Sequence, residues 1–340
     1  MTRIKVLYIF RKKRPGFHSI ENLFSSIQKA LPDDIKFENL ELPWHEGIVT
    51  KSKNILFVLQ HNRFIKKFDV IHITGDITYI TPFLPGKKIV TFHDIGSLTR
   101  ETSSLKNFFL GIFWIMLPSL FADKITVISD FTRKELTKEY PFVARKIDYI
   151  PNCLPDEWLY NCRKDGVFAY KVLTVGTKAN KNLQNIIKAL DGTRARLIIV
   201  GKLNDQIAYS LNNSDLQYVV YYDLSYEQMK RLYHQADILL FPSFYEGFGL
   251  PVIEAQAVGI PVITSKIEPM TSVAGEAALK VNPYNVGEIR EAVQKLFSDS
   301  SLRKQLVEKG FLNVKKYLCS SIARQYADLY KQLKNTQENV

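Results

Sequence analysis

The stretch 246–254 reads EGFGLPVIE, which sets Glu246 and Glu254 eight positions apart around two glycines and a proline. Two carboxylates can serve as acid and base on a glycosidic bond, but they must then face each other across the sugar at about 5 to 9.5 Å. An unbroken helix would separate these two by about 12 Å of rise, and Pro251 argues against an unbroken helix. The better reading is a strand at ADILLFPS, a loop carrying Glu246, Gly247, Phe248 and Gly249, and a helix with Pro251 in its first turn and Glu254 inside it. The glycines admit close approach of a ligand to the backbone, and the N–H groups near Gly249 and Leu250 point out of the helix start, which makes an anion site. Carboxylates flanking such a site are suited to accept hydrogen bonds from hydroxyls on either side of a diphosphate. A nucleotide sugar has that shape.

A second constellation is VGTKANKNLQNIIKAL at 175–190, a strand end, a turn and a helix start holding Lys178 and Lys181. It has neither the GxGxxG fingerprint nor the GxxxxGK[ST] phosphate loop, so dinucleotide oxidoreductases and phosphate-loop hydrolases find no support in it. A lysine at a helix start opposes the helix dipole; it is either a solvated surface group or an invitation to an anionic ligand. In VTFHD, His93 and Asp94 end a strand, where a histidine either orients a ligand or is simply structural. Ser129 or Asp130 reads as a helix cap in VISDFTRKEL. The run RKKR at 11–14 follows the first strand and is either a solvated face or a phosphate contact.

Behind these residues stand the elements that must place them. Short apolar runs alternate with amphipathic stretches, the pattern of βα units feeding parallel sheets. IKVLYIF, DVIHIT, KKIVTFHD, KITVIS and KIDYIP are the strands expected before a break at PNCLPDEWLYNCRKDG. YKVLTVG, ARLIIVG, LQYVVYY, ADILLFPS and GIPVITS are those expected after it, with a helical tail from about 300. A chain of 340 residues exceeds what one core usually organises. The expected division is 1–155, a linker at 156–168, a second domain at 169–318, and a helix at 319–340 that crosses back to the first. The net charge of +12 favours anionic partners, and its even spread over both halves argues against nucleic acid. Three cysteines without metal spacing imply no disulfide framework and fit a reducing cytosol. The apolar run at 108–121 is too short to span a membrane.

The set VTFHD, VISDFTRKEL, IPN, VGTKANKNL, LIIVGK, ADILLFPSFYEGFGLPVIEAQAVGIPVITS and GEAALKVNP resembles, in order and spacing over about residues 70–300, the retaining glycosyltransferase family whose mark is E-x7-E. That resemblance implies the GT-B fold, an α/β architecture of two Rossmann-like, doubly wound parallel-sheet domains facing a cleft. It implies Glu254 on the ribose hydroxyls of the donor, Glu246 near the sugar's ring hydroxyls, and Lys181 on the diphosphate with the amides of Gly249 and Leu250. It further implies His93 beside the donor sugar, and Leu224 and Ser225 at the edge of the base. Gly247 and Phe248 complete the donor loop. Where many relatives carry a second diphosphate arginine this chain has Thr177, so Lys178 or Arg14 could substitute, and of the usual glycine pair after the first strand only Gly16 is present.

These matches imply a retaining transferase that moves a sugar from a nucleoside-diphosphate sugar, UDP or GDP, to a glycan or lipid-linked acceptor of a surface polysaccharide or lipopolysaccharide. No metal is expected, because lysine and helix start can stabilise the leaving diphosphate. No cofactor beyond the donor is expected either. An aromatic face of 108–121, with Lys106 and the 11–14 cluster, would place a cytoplasmic protein against the inner face of the membrane. The rival readings are a sugar-nucleotide epimerase of the same fold and a non-catalytic nucleotide-sugar-binding subunit.

Overall fold

The computed structural model describes residues 3–12, 19–44, 48–94, 111–158 and 168–338. The chain divides into two bodies, one of Met1–Cys153 with Cys319–Val340 and one of Leu154–Leu318.

The first body is built on a parallel sheet of β1 (Ile4–Phe10), β2 (Ile35–Glu41), β3 (Val70–Ile73), β4 (Lys87–Phe92), β5 (Lys124–Val127) and β6 (Ile147–Tyr149), in the order β2-β1-β3-β4-β5-β6. Strands buried on both faces need near-continuous apolar runs, and β1 shows how one strand serves two cores. Val6, Tyr8 and Phe10 pack with Leu23, Phe24 and Ile27 of α1 (Ser19–Lys29), whereas Leu7 and Ile9 pack on the other face with Val58 of α2 (Ile48–Gln60). Asn62–Ile65 forms α3, Leu117–Phe121 forms α4, and Asp130–Glu139 forms α5, capped by Ser129 as its sequence suggests.

The C-terminal helix, Cys319–Glu338, belongs to this first body. Its Ile322, Tyr326, Tyr330 and Leu333 join the core of Tyr8 and Phe24. A buried polar chain runs beneath it: the Tyr330 hydroxyl lies 2.7 Å from that of Tyr8 and 2.8 Å from Nδ1 of His72, whose Nε2 is 2.7 Å from the Thr91 hydroxyl. Burial pushes the His72 imidazole down to about 3, so it is held neutral.

The second body repeats the theme with β7 (Lys171–Val175), β8 (Arg196–Val200), β9 (Gln217–Tyr221), β10 (Ile238–Phe241), β11 (Val262–Ser265) and β12 (Ala278–Val281), all parallel. Their order is β12-β11-β10-β7-β8-β9. Read from β9, this is the 3-2-1-4-5-6 order of a dinucleotide-type sheet, with its topological switch point between β7 and β10, where such folds bind ligands. The helices are α6 (Leu183–Leu190), α7 (Asp205–Asn212), α8 (Tyr226–Gln235), α9 (Leu250–Val258), α10 (Met270–Ala274), α11 (Val286–Ser298) and α12 (Ser300–Val314).

Two strands escape the sequence pattern, and both lie at sheet edges. β2 exposes most of its length, so Lys36, Glu38, Asn39 and Glu41 break the apolar alternation there. β12 is half-buried and only four residues long. The reading of the cysteines is corrected outright. Cys153 and Cys319 form a disulfide, with Cα atoms 4.9 Å apart and both residues buried, because the end of the first body's chain and the start of its returning helix meet. A sequence separation of 166 hides that meeting, and the cysteines therefore lend no support to a reducing compartment.

Candidate active site

The loops after β7 and β10 meet at the switch point of the second sheet. β7 is followed by Gly176, whose φ of +96° suits glycine and where a Cβ would lie 2.8 Å from Cγ and Cε of Lys181. The missing side chain thus makes room for the Lys181 stem. Asn182 follows in the left-handed region and fixes the turn by donating from Nδ2 to the carbonyls of Pro242, at 2.9 Å, and Pro283, at 2.6 Å. Asn180 donates to the Tyr245 carbonyl at 2.9 Å and accepts from the Phe244 N–H at 2.8 Å. With its stem so held, Lys181 donates from Nζ to Oε1 of Glu246 at 2.6 Å, and Nζ lies 4.7 Å from the Phe241 ring centre. Both side chains are largely buried, at 19% and 12% exposure, so water screens this pair weakly.

Three residues on, Gly249 takes φ +103° as the N-cap of α9, and Pro251 sits in the first turn. No side chain caps this helix start. Phe248 is buried against the Tyr317 ring, which anchors the loop just before the helix start. One turn into α9 lies Glu254. Its Oε2 accepts a 2.5 Å hydrogen bond from the Tyr233 hydroxyl. The carboxyl keeps some contact with solvent, yet protein surrounds it densely enough that burial pushes its pKa up to about 7, against the opposing pull of the tyrosine hydrogen bond.

In the first body, His93 follows β4. A ring nitrogen beside a carbonyl must donate, so Nε2–H of His93 is fixed on the Thr74 oxygen at 2.8 Å and Nδ1 is left as the acceptor of the neutral ring. Burial lowers its pKa and favours that neutral form. Arg11, at the end of β1, donates from Nε to Glu21 at 2.9 Å and from Nη1 to Asp76 at 3.0 Å. The Arg11 guanidinium of the RKKR run is thus engaged by two carboxylates, and residues 13 and 14 of that run lie outside the described residues.

Two family models tile the sequence: Glycosyltransferase Family 4 matches residues 24–158, and Glycosyl transferases group 1 matches residues 169–312. The chain belongs to the group 1 glycosyltransferases. It is 29% identical over 275 residues to O-antigen chain mannosyltransferase B of Escherichia coli, spanning 73% of this chain and 71% of that protein. It is 25% identical to O-antigen chain mannosyltransferase RfbU of Salmonella typhimurium, over 64% of this chain and 63% of that one. In three dimensions it is similar to HepE of Anabaena in complex with UDP-glucose, with a TM-score of 0.77 at 14% identity, over 97% of this chain and 100% of the other. The fold is GT-B, as the resemblance implies.

Within the glycosyltransferase, the remaining residues expected at the donor separate into those beside the switch point and those committed elsewhere. Thr177 donates its hydroxyl to the Lys202 carbonyl at 2.6 Å and packs on Gly201, so it braces the loops after β7 and β8. Lys178 opens the turn Ala179–Lys181 that delivers Lys181. Ser225 caps α8 in a reciprocal box with Gln228, and its own N–H donates to Oε1 of Gln228 at 2.7 Å. The Ser225 N–H is thus engaged within its own helix cap. Arg14 and Gly16 lie outside the described residues, as do Lys106 and residues 108–110. Among the described residues, no cluster of three His, Cys, Asp or Glu side chains could hold a metal ion.

Sequence reasoning left Asn182 and Tyr233 unassigned. The Asn182 signal was present in the KN pair, whereas Tyr233 reads in sequence as one more apolar position of an amphipathic helix.

Proposed function

We propose that this transferase moves a hexose, with retention and without a metal ion, from a nucleoside-diphosphate sugar to a glycan or lipid-linked acceptor in surface polysaccharide synthesis. The observation that carries the reading is the buried Lys181–Glu246 pair placed three residues ahead of the uncapped start of α9, at the switch point of the sheet. An arriving diphosphate meets a cation and free amides there, and both strengthen as negative charge builds on the leaving group. Glu246 is then released toward the hydroxyls of the sugar, and Glu254 takes the ribose. His93 serves as the acceptor of a hydrogen bond from the donor sugar. A leaving-phosphate oxygen acts as base for attack on the same face, and no side chain need form a covalent intermediate.

Two of the relatives are mannosyltransferases of O-antigen chains, which favours mannose as the sugar and GDP ahead of UDP as its carrier. Incubation with GDP-mannose, UDP-glucose and an acceptor glycan, with and without EDTA, tests the reading; the product anomer is assigned by NMR. Transfer with retention in EDTA is expected, inversion or a strict metal requirement sinks the mechanism, and isotope exchange in the donor alone favours the epimerase. H93A should lower turnover far more than donor affinity.

No described helix is long and apolar enough to cross a membrane. The 111–121 segment is divided: Ile115 and Pro118 are buried, whereas Phe113, Leu120 and Phe121 are about half exposed. Phe83 is exposed on the turn Thr78–Phe83 that packs with it, and Leu56 and Leu59 are exposed on α2, which packs on that same turn. Lys53, Arg63, Lys66 and Lys67 lie exposed on α2 and the segment that follows it, which suits an anionic leaflet. We place the protein at the cytoplasmic face of the membrane through this surface. Co-sedimentation with phosphatidylglycerol vesicles, lost in F113S/L120S/F121S, is the expected result.

A further inference from the structure

The mechanism above uses Glu254 but gives its partner nothing to do. Tyr233 is fully buried, and its ring is wedged edge-on against Trp158 with centres 5.6 Å apart. Trp158 in turn donates from Nε1 to the Tyr226 hydroxyl. The phenol therefore cannot swing away, and its proton points at one carboxylate oxygen. Lys230 of the same helix lies over the Trp158 ring, 5.7 Å from its centre.

Resting on the reading that Glu254 receives the nucleoside's ribose, we infer that Tyr233 is a positioning residue for donor binding: its hydroxyl holds Oε2 of Glu254 and leaves Oε1 to meet the ribose hydroxyls. A glutamate in a partly open site otherwise samples several rotamers, and only some of them present an oxygen to the ligand. Fixing it in the empty protein removes that ordering cost from the binding step. The same hydrogen bond favours the ionised carboxyl, which is the form able to accept from two hydroxyls.

The groups facing this carboxyl decide how its titration responds. Tyr233 and Tyr226 come from α8, and Glu157, from the turn Asp156–Trp158, acts on Tyr226. The residues of α10 and α12 that pack on α9 are uncharged and meet other positions of it: Met270 lies by Gly249, Val307 and Phe311 by Gly259, and Gly310 and Asn313 by Gln256. Removing the Tyr233 hydroxyl therefore removes the main group that stabilises the carboxylate.

The test is calorimetric titration of UDP and of GDP, at pH 6, 7 and 8, into the full-length wild type, Y233F, E254Q and Y233F/E254Q. Phenylalanine fills the same ring space, and thermal melts check that each variant is folded. E254Q should abolish or strongly weaken binding of the nucleotide that the site accepts. Y233F should weaken it on the order of tenfold and move the rise of affinity to higher pH. In the E254Q background Y233F should change nothing, because its effect passes through Glu254. Wild-type affinity and pH dependence in Y233F, beside a damaged E254Q, would overturn the inference and leave the site reading standing, as would an equal loss in both backgrounds. Undiminished binding by E254Q would remove the premise, and the inference with it. If Y233F melts early, the double variant, which carries no orphaned charge, serves for comparison with E254Q alone.

Discussion

The two ends of EGFGLPVIE have the same side chain and opposite surroundings. Glu246 lies against Lys181 at 2.6 Å in a largely buried ion pair. Glu254 has a phenol instead of a cation, and burial pushes its pKa up to about 7. A buried carboxylate with a counter-ion exchanges partners when a diphosphate takes the lysine. One without a counter-ion waits half-protonated near neutrality, until hydroxyl donors arrive to stabilise its charge. On the proposed function the motif couples an electrostatic switch to a hydrogen-bond clamp, and identity of residue type says nothing of which is which.

The sharpest way to break this distinction is at the ion pair. K181A should cost on the order of 10²- to 10³-fold in kcat/KM, the loss of a cation aimed at developing charge. It should also destabilise the fold by a few kcal/mol, because Glu246 is left buried without its partner. K181A/E246Q should recover the melting temperature and not the activity. Recovery of both would show that the lysine serves only to satisfy the glutamate.

The next effect belongs to Glu254 and depends on pH. Its folded-state pKa, about 7, exceeds the ordinary 4.5, so between those values the folded protein holds more protons than the unfolded chain. Stability from this group is fully present below 4.5 and is lost as pH rises through 7, by up to about 1.4 kcal/mol per pH unit. Wild type should therefore lose melting temperature relative to E254Q across that window. Nucleotide affinity in the wild type should move the other way and strengthen through pH 7. Parallel slopes would mean that the ligand does not need the carboxylate.

How legible these two environments were in the sequence differs. The loop–helix reading of 246–254, with Pro251 in the first turn and Glu254 inside the helix, rests on local chemistry, and the structure places both there. The strands buried on both faces announce themselves as apolar runs; β2 and β12 do not, since an edge strand needs fewer buried positions. Lys181 could be found by its helix-start position. Tyr233 could not, because its role depends on which carboxylate lies across from α8, a contact between helices 21 residues apart that no local period encodes. The Cys153–Cys319 bond was hidden for the same reason.

A gentler perturbation tests the lysine side through its backbone. Gly176→Ala puts a Cβ at φ +96° and against the Lys181 stem, with no change of charge. The strain should cost about 1 to 2 kcal/mol, and the displaced Nζ should raise KM for the donor several-fold. An unchanged KM would mean that Lys181 finds the diphosphate from more than one stem conformation, which would place its pairing with Glu246 outside the mechanism.

The smallest effect is expected on the other side. Ser225 caps the helix that carries Tyr233, and S225A should cost about 1 kcal/mol of stability through the lost cap. Donor affinity should hold, because the Ser225 N–H is already engaged by Gln228 and Tyr233 lies two turns further along α8. Thermal melts beside UDP and GDP titrations measure both quantities on the same sample. A drop in affinity larger than the drop in stability would show that Ser225 touches the nucleotide after all, and the clamp at Glu254 would then extend to the base.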